Sequence, residues 1–134
     1  MSVPVDQRSH GQTTAAVKAS KLCSYLFEVK KHFPKEHYQL TDRIVHCALD
    51  IYVKCWEGSN PTNYFVYAPK YGKPKTQLIR SAYIGIMELT ALMNLAYPIF
   101  EIPSDKVVHW DDILTELKNS ITEWLEEEES KFYS

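Results

Sequence analysis

The chain has 134 residues, enough for one hydrophobic core and too few for two ordinary domains. Hydrophobic residues make up 45% and charged residues 24%, as in soluble globular proteins. No apolar run approaches the roughly 18 residues that a membrane span needs, so we expect no membrane role. The net charge of −2 is unevenly distributed, because residues 1–75 carry 11 Lys and Arg against 6 Asp and Glu, whereas residues 76–134 carry 4 against 11. This asymmetry permits a basic face and therefore a nucleic-acid partner.

We predict that residues 1–12 form a disordered leader and that residues 13–132 form one domain. The polar N-terminal sequence lacks the apolar centre of a secretory signal, so we expect a cytoplasmic protein. A first helix is predicted over residues 14–33, because its apolar residues advance by alternating steps of four and three. These residues are Ala15, Ala19, Leu22, Leu26, Val29 and Phe33.

A second helix is predicted over residues 34–57, with Pro34 in its first turn and Gly58 just past its end in a left-handed conformation. The short connection to the first helix predicts an antiparallel hairpin. One apolar stripe consists of Leu40, Ile44, Cys47, Ala48, Ile51 and Cys55. A second stripe consists of Val45, Leu49, Tyr52 and Trp56. Because one stripe is enough to attach the helix to its own domain, the second predicts a subunit interface.

Residues 58–74 are predicted to form a long loop, interrupted by three prolines and Gly72. Its aromatic residues are interleaved with lysines: Tyr64, Phe65, Tyr67 and Tyr71 with Lys70, Lys73 and Lys75. This composition is typical of a surface that stacks bases and contacts phosphates. Packing of the aromatic rings against the end of the helices is the simpler alternative.

A third helix is predicted over residues 75–97 and is apolar nearly all round. One stripe contains Leu78, Ala82, Leu89, Leu92 and Ala96. The other contains Ile79, Tyr83, Ile86, Thr90, Met93 and Tyr97, and we assign Ile79, Tyr83 and Ile86 to the subunit interface. Gly85 lies in mid-helix, where glycine costs about 1 kcal/mol relative to alanine, so it predicts the close approach of another helix.

A fourth helix is predicted over residues 104–130, with Ser104 as its N-cap. Its apolar face includes Trp110, Leu117 and Trp124, and we expect Trp124 to be buried against the first and third helices. The acidic residues Glu126 to Glu129 are better explained by a solvated helix end than by an acid–base pair.

The chain lacks the short motifs of phosphate-binding loops, zinc sites and common hydrolases, so we predict no catalytic residues, no metal site and no cofactor. The cysteines Cys23, Cys47 and Cys55 lie inside helical patterns, which predicts buried free thiols. His32 and His37 could be considered metal ligands together with Cys23, but their spacing matches no known site, and surface histidines are the simpler interpretation.

The segment FPKEHYQLTDRIVHCALDI (33–51) resembles the second helix of the accessory variability determinant (Avd) proteins of diversity-generating retroelements. It also resembles, less closely, the small four-helix-bundle proteins encoded in intervening sequences of large-subunit ribosomal RNA genes. LIRSAYIGIMELTALMNLA (78–96) and ILTELKNSITEWL (113–125) resemble the third and fourth helices of the same family. The similarity consists of an apolar pattern and a few identities over most of the chain.

The resemblance implies an all-α fold, an antiparallel up-down four-helix bundle that assembles into a ring-shaped homopentamer. It also implies a non-catalytic accessory protein that binds the reverse transcriptase and the template RNA or cDNA of a retroelement during mutagenic retrohoming. The alternative is an oligomeric interaction protein of the intervening-sequence group with an unknown partner. A metal- or small-molecule-binding bundle would need inward acidic or histidine residues at i,i+3 spacing, which the pattern lacks.

Two sets of candidate site residues follow. The nucleic-acid candidates are the basic residues Lys31, Lys35, Arg43, Lys54, Lys75 and Arg80. Arg43 has an equally plausible alternative role as an intersubunit or intrahelical ion-pair partner. The interface candidates are Val45, Leu49, Tyr52, Trp56, Ile79, Tyr83 and Ile86.

Overall fold

The structure, a computed structural model, describes residues 10–59 and 75–133, and side chains within 14–59 and 75–130. The predicted leader up to residue 9 and the predicted loop from residue 60 lie outside the described residues. The described part is all-helical and contains no strand. Its α-helices are α1 (His10–Val29), α2 (Tyr38–Ser59), α3 (Lys75–Ile99) and α4 (Ser104–Tyr133), with short 3-10 turns at Lys30–His32 and Lys35–His37. The prediction of four helices is confirmed.

The junction between α1 and α2 differs from the prediction. Helix α1 begins at His10, within the predicted leader, and gives way to a 3-10 turn after Val29. Pro34 is not in the first turn of α2, because its ψ of 130° and the ψ of 146° at Phe33 are those of extended chain. A residue that precedes proline is sterically biased toward this conformation. The carbonyl of Pro34 then accepts the N–H of His37 at 3.2 Å, and α2 begins one residue later.

All four helices contribute to one core. Each packs against the next along the chain, and α4 also packs against α1. The buried residues confirm the predicted stripe of α1, the first stripe of α2 and the apolar face of α4. They are Ala15, Ala19, Leu22 and Leu26 from α1; Ile44, Cys47, Ala48, Ile51 and Cys55 from α2; and Trp110, Leu114, Leu117, Ile121 and Trp124 from α4.

Two glycines lie at close helix contacts. A Cβ atom on Gly85 of α3 would stand 2.7 Å from Cγ1 of Ile51, which confirms the predicted close approach. The prediction that Gly58 follows the end of α2 in a left-handed conformation is wrong. Gly58 lies inside the helix, which ends at Ser59, and it is buried against the ring of Trp124. This position requires glycine because a side chain would not fit beside the ring, and not because its φ is positive.

Helix α3 is long and apolar enough, by length and composition alone, to cross a membrane. This differs from the expectation that the chain has no such segment, but core helices of soluble proteins pass the same test. Seven residues of α3 are buried against the other helices: Leu78, Ile79, Ala82, Ile86, Leu89, Met93 and Ala96. The helix is thus part of the core, the half-buried Tyr83, Leu92 and Tyr97 pack against that core, and four other large apolar residues are exposed.

Helix α3 ends in a Schellman motif, in which Ile102 N–H bonds to the Tyr97 carbonyl at 3.1 Å and Glu101 N–H bonds to the Pro98 carbonyl at 3.3 Å. Glu101 takes the left-handed position with φ of 54°, where glycine is usual. The motif turns the chain directly into α4.

Candidate functional site

The second apolar stripe of α2 is exposed in part. Leu49, Val53 and Trp56 have 36–52% of their surface accessible, and the half-buried Val45 and Tyr52 adjoin them. Steps of three and four residues place all five on one side of the helix. We call these five residues the α2 face. It contains all four α2 residues predicted for the interface, and Val53 extends it.

The α2 face points away from α3. On the α3 side of the helix, Cys47 Sγ donates to the Gly85 carbonyl at 3.3 Å and Arg43 pairs with Glu88. Toward α1, Cys23 Sγ donates to the Ala48 carbonyl at 3.5 Å. An α-helix turns by about 100° per residue. The exposed residues of the face, Leu49, Val53 and Trp56, therefore lie on average roughly 130° around the helix axis from the two residues that contact α3, Arg43 and Cys47. By the same count the exposed residues lie on average roughly 105° from Ala48, so the face points outward, away from both α3 and α1.

The outward residues of α3 are not the predicted ones. Ile79 and Ile86 are 0% and 1% exposed in the core, so they leave no surface for a second copy, and Tyr83 is half-buried beneath Lys118 Nζ, 5.9 Å from the ring centre. The assignments of Ile79 and Ile86 are corrected, because α3 packs that part of the stripe on its own domain, whereas the assignment of Tyr83 stays a prediction. The exposed large apolar residues of α3, 40–65% accessible, are Ile84, Met87, Leu95 and Ile99. We call Ile84, Met87 and Leu95 the α3 face.

The α3 face was recognisable in the sequence. Ile84, Met87 and Leu95, with Ala91 between the last two, recur at steps of three and four. That spacing is the signal of one helix side. On a helix that is apolar nearly all round, the same signal also occurs on other sides, and spacing alone does not tell which side meets solvent.

Four of the six predicted nucleic-acid residues form ion pairs with carboxylates. Lys75 Nζ lies 2.8 Å from Glu128 Oε1, and both side chains are largely buried, at 17% and 11% exposed. Arg80 pairs with Glu129 of α4. Lys31 pairs with Glu28 one turn earlier. Arg43 is an ion-pair partner, but its pair with Glu88 joins α2 to α3 within one subunit and is neither the intersubunit nor the intrahelical pair considered above. Much of their charge is therefore neutralised by the chain itself.

The remaining two candidates are Lys35 and Lys54. Neither forms an ion pair with a carboxylate in the part of the chain that the structure describes. Lys35 precedes the start of α2 and Lys54 lies near its end. The 22 residues of α2 span roughly 33 Å, at 1.5 Å per residue. The structure thus spreads the six basic residues along the molecule and does not gather them in one patch.

The cysteines are free, and Cys47 and Cys55 are buried as predicted, whereas Cys23 is half-buried. Burial raises the pKa of Cys55 to about 12; burial and the nearby Glu88 and Asp50 carboxylates raise the pKa of Cys47 to about 12. Both thiols are therefore protonated at neutral pH and poor nucleophiles. Among residues 14–59 and 75–130, no group of three or more His, Cys, Asp or Glu side chains could hold a metal ion.

The geometry thus provides two exposed apolar faces on different sides of a four-helix domain, together with dispersed and mostly paired basic residues. In comparisons with protein-family models, curated proteins and solved structures, nothing matches this chain.

Proposed function

We propose that this chain is a non-catalytic interaction protein that works as a homo-oligomer. The observation that carries the proposal is the presence of two separate apolar faces, the α2 face and the α3 face, on a domain that already has a complete core. Extended apolar surface of this kind usually marks a contact with another protein. A single self-complementary dimer contact would account for only one of the two faces.

The proposed subunit is an antiparallel up-down four-helix bundle. Short connections support this topology, since residues 30–37 join α1 to α2 and residues 100–103 join α3 to α4. Sequential helices joined by short connections lie antiparallel in such bundles. Packing of each helix on the next, with α4 closing on α1, also supports it.

The proposed assembly is a ring in which the α2 face of one subunit contacts the α3 face of the next. Contacts between two different faces repeat head to tail, and they close into a ring when the rotation between subunits permits. The number five is what the resemblance to Avd proteins implies.

The same resemblance leads us to propose the biological role: the oligomer engages a retroelement reverse transcriptase and its template RNA or cDNA. Because four basic candidates are paired with carboxylates, the proposed nucleic-acid contact relies on Lys35 and Lys54, repeated around the ring. Each phosphate contact of this kind releases condensed counterion, so a ring can bind where one subunit binds weakly. The alternative, an interaction protein with another protein partner, requires only the apolar faces.

Light scattering tests the oligomer. We expect a mass about five times the subunit mass of 15.6 kDa, and a mass of 15.6 kDa across micromolar concentrations would contradict the proposal. Leu49→Glu with Val53→Glu removes the α2 face, and Ile84→Glu with Leu95→Glu removes the α3 face. Each double variant should be monomeric, whereas Thr115→Glu with Asn119→Glu, on the exposed side of α4, should leave the mass unchanged.

Mixing the two monomeric double variants distinguishes the ring from a symmetric dimer. Each retains one intact face, so a head-to-tail contact predicts a heterodimer and nothing larger. If the variant that lacks the α3 face, Ile84→Glu with Leu95→Glu, keeps the parent mass by itself, the contact is between two α2 faces and the ring is excluded.

Binding of RNA and DNA at low and moderate salt tests the role. We expect affinity to fall with salt, and Lys35→Glu with Lys54→Glu to abolish binding while Lys31→Glu, whose lysine is already paired, has a smaller effect. Binding that is weak in the parent and unchanged in the double variant would favour a protein partner alone. A reverse-transcriptase gene and near-identical repeats beside this gene, with copurification of the two proteins, would support the retroelement role.

A further inference from the structure

A cavity of about 270 Å³ lies where the end of α1, the end of α3 and the beginning of α4 meet. The volume is at the small end of the range for ligand sites in proteins, so the cavity suits a small molecule. Most of its wall is apolar, and five aromatic residues contribute to it: Tyr25, Phe33, Tyr97, Phe100 and Trp110. This composition is typical of the aromatic cages that bind organic cations.

The aromatic residues of the wall contact one another. The ring centres of Phe33 and Phe100 are 4.7 Å apart, and those of Tyr25 and Trp110 are 6.2 Å apart. The first contact joins the segment after α1 to the turn after α3, and the second joins α1 to α4. The wall is therefore formed by packing within the subunit, before any ligand binds.

The polar part of the wall consists of Glu101, Lys106 and His32. All three residues are exposed, so they lie where the cavity meets solvent. Glu101 has a φ of 54°, in the left-handed region that is uncommon for residues other than glycine. Such a conformation has a cost in free energy, and it often occurs at ligand sites. A carboxylate at the mouth of an aromatic cavity provides a reason for glutamate here.

Two further carboxylates act on the tyrosines of the wall. Asp111 Oδ1 accepts a hydrogen bond from the Tyr97 hydroxyl at 2.9 Å. Burial raises the pKa of Tyr25, and the negative charge of Asp105 adds to the effect, which indicates that this carboxylate is close. The surroundings of the cavity are therefore more acidic than its lining residues indicate.

The lysines that adjoin His32 in the chain do not offset these charges. Lys30 Nζ lies 5.0 Å from the centre of the Phe27 ring, and Lys31 pairs with Glu28. Neither lysine lines the cavity. Among the residues that the structure describes, three carboxylates line the cavity or act on its tyrosines, against one lysine, with histidine counted as neutral at pH 7. The charge of the site favours a cation.

We propose that this cavity binds a small molecule that carries a quaternary ammonium group. Aromatic rings attract such a cation through their quadrupoles, and the surplus of carboxylates adds to the attraction. A primary ammonium carries three N–H donors, each of which needs an acceptor when it is buried. A quaternary ammonium has none, and its methyl groups fit an apolar wall.

The cavity adjoins the α3 face but opens on another side of the helix. Met93 and Tyr97 of the wall flank Leu95 of the α3 face in the chain. At about 100° per residue, Leu95 lies roughly 160° around the helix axis from both. A bound ligand would therefore contact residues of one subunit and would leave the α3 face uncovered.

Choline is a suitable probe, and the control ligand is the dimethylbutanol in which a carbon atom replaces the choline nitrogen. The two molecules have the same shape, but only choline is charged. We expect choline to bind about tenfold more tightly, because a cation–π contact in a partly desolvated site contributes that much. In proton NMR, the methyl signal of choline should move upfield on binding, since protons above the face of an aromatic ring are shielded.

Two substitutions at the mouth of the cavity should change choline binding in opposite directions. Glu101→Gln removes a negative charge and keeps the shape of the side chain, so choline should bind roughly two- to fivefold more weakly. Lys106→Gln removes the positive charge, so choline should bind more tightly by a similar factor. Neither should change the binding of dimethylbutanol. Glu123→Gln, an exposed change in the far half of α4, is the matched control and should bind choline as the parent does.

Phe33→Leu tests the aromatic wall, since it keeps an apolar side chain and removes one ring. It should weaken choline binding and leave dimethylbutanol binding nearly unchanged. The two charge variants involve exposed residues, so the proposal can be tested even if Phe33→Leu does not fold. The variant that lacks the α2 face, Leu49→Glu with Val53→Glu, should bind choline as the parent does, because the site lies within one subunit.

Four results would overturn the proposal. Millimolar choline might leave its methyl signal unshifted, or dimethylbutanol could bind as tightly as choline. Glu101→Gln and Lys106→Gln could both bind choline as the Glu123→Gln control does. Loss of choline binding in the variant that lacks the α2 face would show that the cavity of one subunit is not the site.

Discussion

The backbone of Gly58 lies against the indole of Trp124, so close that a Cβ atom on Gly58 would stand 2.8 Å from Cη2 of the ring and 3.2 Å from Cζ2. The contact joins the end of α2 to α4, two helices that are not consecutive in the chain. Trp124 is fully buried, as predicted, although its contact with α2 was not foreseen. A glycine and a tryptophan thus complete the core at this end of the domain.

Gly58→Ala should destabilise the protein by roughly 1–3 kcal/mol, the usual cost of overpacking a well-packed core. Alanine favours the helix, so any loss of stability must come from the contact with the buried indole. Chemical denaturation monitored by circular dichroism measures the effect.

A double-mutant cycle identifies the indole as the cause. In a Trp124→Phe background the smaller ring leaves room for the new methyl group, so Gly58→Ala should cost less there than in the parent. Gly85→Ala is the matched control, because its Cβ would meet Ile51 and its cost should be the same in both backgrounds. Equal costs of Gly58→Ala in the two backgrounds would contradict the contact.

Trp124→Ala should destabilise the protein by roughly 3–5 kcal/mol, because it removes a fully buried side chain and leaves a cavity. Trp56→Ala is the comparison, since Trp56 is 52% exposed and its loss should affect assembly more than folding. Thermal unfolding of dilute samples distinguishes the two. A Trp124→Ala variant that melts with the parent would mean that this indole is not a core residue.

Lys75→Glu should destabilise the protein by roughly 2–4 kcal/mol, between the values typical of exposed and of buried ion pairs. Its ammonium is paired with Glu128 in a largely buried position, and the substitution places two carboxylates there. Reversal of the pair in Lys75→Glu with Glu128→Lys should recover part of the loss in urea denaturation. Equal stability of the single variant and the parent would show that the pair does not contribute.

Cys55 should make stability depend on alkaline pH. Burial raises the pKa of this thiol from its ordinary value of 9.0 to about 12, so the folded protein keeps the proton that the unfolded chain releases. The contribution of the protonated thiol to the free energy of unfolding is complete below pH 9. It is lost as pH rises from 9 to 12, at about 1.4 kcal/mol per pH unit.

Cys55→Ala tests this dependence. The comparison uses the slope of the free energy of unfolding against pH, so a constant change in stability caused by the substitution does not affect it. Between pH 9.5 and about 11, the free energy of unfolding of the variant should fall less steeply than that of the parent, by about 1.4 kcal/mol per pH unit. Val53→Ala, an exposed and non-titrating change nearby, should keep the parent slope. Parallel curves for Cys55→Ala and the parent would contradict the prediction.

The sequence alone determined the four helices and much of their packing. Prolines and Ser104 marked junctions to within a few residues, and three-and-four spacing identified the buried stripe of α1, the first stripe of α2 and the face of α4. These features depend on local backbone sterics and on the helical period, which neighbouring residues encode. The exposure of Leu49 and Trp56 in the second α2 stripe followed in the same way, because the first stripe already accounted for the core.

Only the tertiary structure decided the features that depend on distant residues. In α3, Ile79 and Ile86 are buried while Ile84, Met87 and Leu95 are exposed, because the position of the other helices selects which side of an almost uniformly apolar helix faces inward. The role of Gly58 depends on Trp124, and the pairing of Lys75 depends on Glu128. In both cases the partner lies more than fifty residues away in the chain, and no local pattern predicts which side chain will meet it.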